Sequence, residues 1–268
     1  MYHYSKNELV NAIRNVGIKP GDVVSLQVSL GRLGMPNGAH DFESVSNMVI
    51  DSFFEVLGAE GTLIVPTYTY SIGRGEVFEV EETPSAIGEF TEIFRKRNGV
   101  IRSRDPMLSS AGYGPMAKTI LRDISKSCYG IGSTFQNLHG ADAKICTLGI
   151  SIYWATYRHY IEEIVGVPFR FIKRFEGVIR ESGISRVEEW DYFAAPFLDN
   201  CQPDGLVLED ILRKYSLINI EQIGRGEIMC IGAKEYFEYG TNELIKDPWL
   251  TAKGPRCSEE YMRENLNK

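Results

Sequence analysis

KICTLGISIYWATYRHYIE, residues 144–162, sets a short apolar run directly before a longer segment of helical character. Residues 144–150 have the length and apolar content of a buried strand. Residues 151–165 contain no Gly or Pro before Gly166 and Pro168, so they read as the helix that follows. On that helix Thr156, His159 and Glu162 recur every three residues, which confines them to one stripe about 120° wide. A carboxylate there can hold one imidazole nitrogen while the other faces outward, the minimum for a general base. A solvated helix turn carrying a His and two acids, Glu162 and Glu163, accounts for the same spacing. Of His3, His40, His139 and His159, only His159 has a carboxylate three residues on within an apolar-flanked helix. In open α/β sheets ligands bind at the carboxyl edge of the strands, where this helix would begin.

Outward from that junction, strand and helix signals alternate. Residues 22–30 read as a strand, 41–57 as a helix closed by Gly58, and 61–70 as a second strand. Residues 87–98 are helical before Gly99, 100–102 form a short strand, and 116–126 form another helix. Beyond residue 169 the pattern turns strand-like, with Ser182-Gly183 as a hairpin turn between 178–181 and 184–192. Residues 206–215 return to helix, 218–231 read as a hairpin around Gly224 to Gly226, and 234–246 as the last long helix. The expected fold class is α/β: a layered α/β/α arrangement with a central mixed sheet and an added β-hairpin subdomain. No linker, repeat or low-complexity tract divides it, so residues 1–268 are expected to form a single domain, with the hairpin-rich insertion at roughly 169–195.

Hydrophobic content of 43% and charged content of 24% are ordinary for a globular protein. No apolar run approaches the roughly 20 residues that span a bilayer. The N-terminus, MYHYSKNELV, lacks a signal peptide's apolar segment, so a cytoplasmic protein without membrane contact is expected. The five cysteines, Cys128, Cys146, Cys201, Cys230 and Cys257, are far apart and without C-x-x-C pairing. That points to reduced thiols rather than a disulfide framework or zinc site, and no metal is expected. A net charge of −7 disfavours a nucleic-acid partner. The oligomeric state is not legible, and a homodimer stays open.

Three loops have the composition of ligand sites. Val28 to Gly34 follows the first strand; its glycines allow close backbone approach, and Ser29 and Arg32 add a hydroxyl and a charge. Its spacing matches neither a P-loop nor a dinucleotide fingerprint, and a tight turn with no ligand explains it equally. Arg102 to Ser110 crowds two guanidinium groups and three hydroxyls around Pro106, a set suited to phosphate oxygens. In Gly130 to Thr134, Ser133 is placed to cap the helix leading to His139. No G-x-S-x-G elbow is present, and Cys146 lies inside a strand, which argues against serine or cysteine nucleophiles.

Taken in order, these pieces resemble the aminoglycoside 3-N-acetyltransferase family, the antibiotic N-acetyltransferase fold that is distinct from the GNAT fold. The resemblance runs from Gly21-Asp22-Val23-Val24 and Val28-Ser29-Leu30 through Gly61-Thr62-Leu63-Ile64-Val65-Pro66-Thr67 and Gly88. It continues with Arg102-Ser103, Pro106, Ser109, Gly132-Ser133 and Leu148-Gly149, and ends at Thr156-x-x-His159-x-x-Glu162 and Arg170. It implies acetyl transfer from acetyl-CoA to an amine of an amino sugar. Ser29, Leu30, Gly31, Arg32 and Leu33 would lie along the pantetheine arm. Arg102 and Ser103, with Asp105 and Ser109 on the same loop, would meet the CoA phosphates. His159 would be the base, Glu162 its orienter, and Thr156 a hydroxyl near the reacting carbonyl. Thr67, Tyr68, Arg170 and Glu189 would face the acceptor. One departure stands out: family members commonly have His in the R-S-x-H-P element, and here that position is Asp105. The cluster Arg170, Lys173, Arg174 and Arg180 bears on the acceptor, which stays open between an aminoglycoside and a nucleotide-linked amino sugar of surface polysaccharide. A non-catalytic CoA- or sugar-binding protein on the same scaffold is the alternative.

Overall fold

In a computed structural model, which describes residues 2–265, the chain builds two sheets. The elements in order are α1 (Lys6–Asn15), β1 (Val23–Val28), α2 (Phe42–Leu57), β2 (Thr62–Pro66), β3 (Phe78–Glu79), α3 (Glu89–Arg95), β4 (Ile101–Arg102) and β5 (Ser110–Tyr113). They continue with α4 (Ala117–Leu121), α5 (Thr134–Gly140), β6 (Lys144–Leu148), α6 (Arg158–Val165), β7 (Phe171–Glu181) and β8 (Ile184–Ala194). The chain closes with α7 (Leu206–Lys214), β9 (Asn219–Ile223), β10 (Gly226–Gly232), α8 (Ala233–Lys246) and α9 (Glu259–Asn265).

Local chemistry sets many of these boundaries. Ser5 and Glu8 cap α1 reciprocally, the Glu8 N–H donating to Ser5 Oγ and the Ser5 N–H to Glu8 Oε2. Asp41 caps α2, and Gly58 at φ 65° ends it. Ser133 caps α5 as expected. Ser182 and Gly183, both at positive φ, form the two-residue turn that matches the twist of β7 and β8.

The large sheet has the order β4-β5-β2-β1-β6-β10-β9. Strands β2, β1 and β6 are parallel, and the outer pairs are antiparallel, so the sheet is mixed as expected. Side chains alternate across it. Val23, Ile64, Ile145, Met229 and Ile231 face a core shared with α4 to α8, while Val24, Leu26, Leu63, Val65 and Leu148 face one shared with α1 to α3. Both faces are therefore covered, and most residues of the three parallel strands are buried. The small sheet, β3-β7-β8, stands apart and is tied to the main body where Cys128 N–H donates to the Asp191 carbonyl and Asp191 N–H to that of Lys126.

Several expectations are corrected. The second strand stops at Pro66, and the helix placed at 116–126 is only α4. The segment 151–165 is not one helix: a short 3₁₀ turn, Ile152–Trp154, precedes an extended Ala155 before α6 begins. Helix α1 and strands β3 and β5 come in addition to the segments read from the sequence. Cys146 and Cys230, expected as reduced thiols, lie opposite each other in the β6–β10 pairing and are joined as a disulfide across 84 residues. That partner is set by sheet register, which cysteine spacing alone does not reveal. No described helix is long and apolar enough to cross a membrane.

Candidate active site

β1, β2 and β6 end on one edge of the large sheet, and the residues following β6 fold back over it. Gly149 is the pivot: at φ +73° a Cβ there would sit 2.3 Å from the Ser29 carbonyl oxygen, so only glycine fits. Gln27, the polar residue near the end of apolar β1, then holds the returning chain at two points. Its Nε2 donates to the Trp154 carbonyl at 3.1 Å, and its Oε1 accepts from the Thr156 N–H at 2.8 Å. These bonds use the backbone groups that a continuous helix would have kept for itself. Thr156 therefore lies outside α6, and the expected three-residue stripe is broken at its first member. Its side chain lines the same cavity as buried Tyr68, while its carbonyl accepts the His159 N–H at 2.9 Å.

The other two members meet as the spacing requires. Glu162 is fully buried, and His159 Nδ1 lies 2.6 Å from its Oε2. A carboxylate has no proton to give here, so Nδ1 donates and Nε2 keeps its lone pair. Two guanidinium groups complete the cluster: Arg170 Nε is 2.9 Å from the same Oε2, and Arg158 Nη1 is 2.9 Å from Oε1. Burial alone would raise the Glu162 pKa, but Arg158, His159 and Arg170 together hold it well below the usual carboxylate range. For His159, burial and then Arg170 push the pKa down to about 4 against the opposing pull of Glu162. The imidazole is thus neutral at physiological pH and free to accept a proton. Removing Glu162 would leave two buried cations unpaired, a loss of roughly 3–5 kcal/mol.

His159 stands between two cavities. One, of about 460 Å³, is lined by Gln27, Val28, Tyr68, Tyr153, Trp154 and Thr156. The other, of about 700 Å³, lies against the β7–β8 hairpin, with Arg170, Lys173, Arg174, Phe175 and Tyr192 on its wall. A neutral imidazole shared by two cavities is placed to move a proton while two molecules react directly.

The remaining sequence candidates divide sharply. Arg102 is buried: it donates to the Thr67 carbonyl at 2.7 Å, to Thr67 Oγ1 and Ser109 Oγ at 3.2 Å, and to the carbonyls of Val80 and Thr83. With those donors committed it braces the interior of the loop. Thr67 and Ser109 serve the same network, and Ser103 Oγ accepts the Ser110 N–H. Asp105 is also internal, its Oδ1 accepting the Met107 and Leu108 N–H groups at 2.8 Å. The residue that departs from the family's His is therefore a loop brace inside the fold. Leu30 and Leu33 are core residues, Arg32 is exposed, and Leu30 and Gly31 line a separate apolar cavity of about 380 Å³. Gln27 and Val28, rather than Ser29 to Leu33, are the β1-side residues on the His159 cavities. Glu189 is exposed beside Arg174, outside the lining of both. Sequence reasoning misses Arg158 and Gln27. A glutamine in a buried strand and an arginine four residues before Glu162 are the available signals.

The profile of the aminoglycoside 3-N-acetyltransferase family matches residues 27–244. The chain belongs to that family. It is an N-acetyltransferase by that membership. Among its relatives, aminoglycoside N(3)-acetyltransferase IV of Salmonella sp is 23% identical over 265 residues, covering 98% of this chain and 95% of that one. A histidine-to-alanine mutant of aminoglycoside acetyltransferase AAC(3)-IVa, in complex with a gentamicin, superposes with a TM-score of 0.80 at 22% identity, covering 99% of this chain and 98% of the other. AAC-IIIb in a binary complex with CoASH gives 0.76 at 17% identity, covering 94% of this chain and 100% of the other. These likenesses place the fold within the acetyltransferase family. Among the described residues, no group of three or more His, Cys, Asp or Glu is disposed to hold a metal ion.

Proposed function

We propose that this family member transfers the acetyl group of acetyl-CoA directly to an amine of an amino sugar, with His159 as general base. The supporting observation is the His159 imidazole, fixed through Nδ1 by buried Glu162 and shared by two cavities. The attacking amine nitrogen bonds to the thioester carbon while Nε2 of His159 takes a proton from that nitrogen. The carbonyl oxygen gains negative charge, for which the Thr156 and Tyr68 hydroxyls on the smaller cavity are the candidate donors. Collapse breaks the carbon–sulfur bond, and the proton on His159 passes to the departing thiolate. No enzyme nucleophile is required. The CoA-bound relative supports the donor, and the family together with the gentamicin-bound relative supports an aminoglycoside as acceptor. A second acceptor class, the nucleotide-linked amino sugar, is favoured by Arg170, Lys173 and Arg174 on the wall of the larger cavity. Thiol release from acetyl-CoA with a panel of amino sugars, with the N-acetylated product identified by mass, tests the proposal. Free CoA formed in step with an N-acetylated sugar is expected; hydrolysis alone, or no release with any amine, would refute it.

A further inference from the structure

The two cavities that meet at His159 carry Arg158, Arg170, Lys173 and Arg174 on their walls, and no carboxylate among the described residues lines either one. Carboxylates on neighbouring segments are committed. Glu162 serves His159 and two arginines, Asp191 forms a two-pronged pair with Arg174 at 2.7 and 2.8 Å, and Asp204 accepts the Leu206 N–H. An aminoglycoside brings several ammonium groups, and desolvating each without a carboxylate is costly. Whichever cavity receives it, this lining offers the polycation nothing of opposite sign.

The cationic side is the larger cavity. Lys173 projects there from β7, exposed, with its ammonium 5.0 Å from the Phe175 ring centroid and no carboxylate pairing it among the described residues. Arg174 is next to it on the same strand. A cation with no anionic partner, beside aromatic surface, suits a phosphate attached to a flat or ring-shaped group. The smaller cavity, lined by hydroxyls, aromatic rings and an Arg158 already paired with Glu162, suits an uncharged arm such as pantetheine.

Resting on the acetyltransferase reading above, we infer that the acceptor is an amino sugar bearing a phosphate or diphosphate, held by Lys173 on the β7–β8 hairpin, rather than a polycationic aminoglycoside. Sugar phosphates and nucleoside-diphosphate sugars share this chemistry, and about 700 Å³ accommodates either.

The test compares kcat/KM for glucosamine, glucosamine phosphate, UDP-glucosamine and gentamicin at saturating acetyl-CoA, in the native protein and in Lys173→Glu. At least one phosphorylated sugar should exceed glucosamine and gentamicin by roughly tenfold or more, the size of one charge-assisted contact. Lys173→Glu should abolish that preference by raising KM for the phosphorylated sugar, with KM for acetyl-CoA unchanged. The better of the two phosphorylated sugars distinguishes a simple phosphate from a nucleotide. A preference for gentamicin would overturn the inference while leaving the acetyltransferase reading intact, as would equal use of glucosamine. A rise in KM for acetyl-CoA in Lys173→Glu would assign the cationic cavity to the donor and also overturn it, as would a preference that survives the substitution. Turnover of no acceptor would bring down both readings.

Discussion

Asp105 is a carboxylate with nearly all its surface removed from water, and its oxygen braces the turn at Met107 and Leu108. Burial raises its pKa to about 6 against the lowering effect of those N–H groups. The folded state therefore binds this proton more tightly than the unfolded chain, so the group's contribution to stability is present at low pH and is lost as pH rises through about 6. Asn presents the same acceptor oxygen without the charge. Asp105→Asn should thus be more stable than the native protein at pH 8 by about 1–3 kcal/mol, with the difference vanishing toward pH 4. Urea unfolding at several pH values reads this directly; a variant less stable at pH 8 would mean that the charge itself is needed. From sequence, Asp105 and Arg102 read as ligand groups, because a polar loop between apolar segments looks the same whether it faces solvent or the interior. His159 and Glu162 were legible because their contact is made within one turn of helix.

Elements formed by near neighbours were legible, and those shaped by distant ones were not. The β7–β8 and β9–β10 hairpins follow from Ser182-Gly183 and Gly224, whose backbone preferences act locally. The break before α6 does not, since Gln27 imposes it from 127 and 129 residues away by capturing the Trp154 carbonyl and the Thr156 N–H. Tertiary hydrogen bonds here override local helical preference. Gln27→Ala frees both groups and should cost about 1–3 kcal/mol of stability. Because Thr156 is registered through this linker, kcat should fall roughly tenfold or more with KM for acetyl-CoA little changed. Steady-state kinetics on the folded variant checks it, and an unaltered kcat would show that the linker keeps its place without Gln27.

At the scale of the molecule, the layered arrangement follows from apolar strands covered on both faces by amphipathic helices, and that much was plain in the alternation of segments. The disulfide partner of Cys146 and the two-cavity arrangement depend on sheet register and on how the hairpin sits beside α6, neither of which is local. What the fold achieves is a junction: the parallel edge of the large sheet, the base of the hairpin and α6 converge on one imidazole, whose pKa burial and Arg170 push down and whose ring Glu162 orients. The most direct measurement is kcat/KM for acetyl transfer in His159→Asn, alongside calorimetric binding of acetyl-CoA to the same variant. A general base at that junction predicts a loss of roughly 10²–10⁴-fold in kcat/KM with acetyl-CoA affinity unchanged. Activity within a few fold of the native protein would contradict the account.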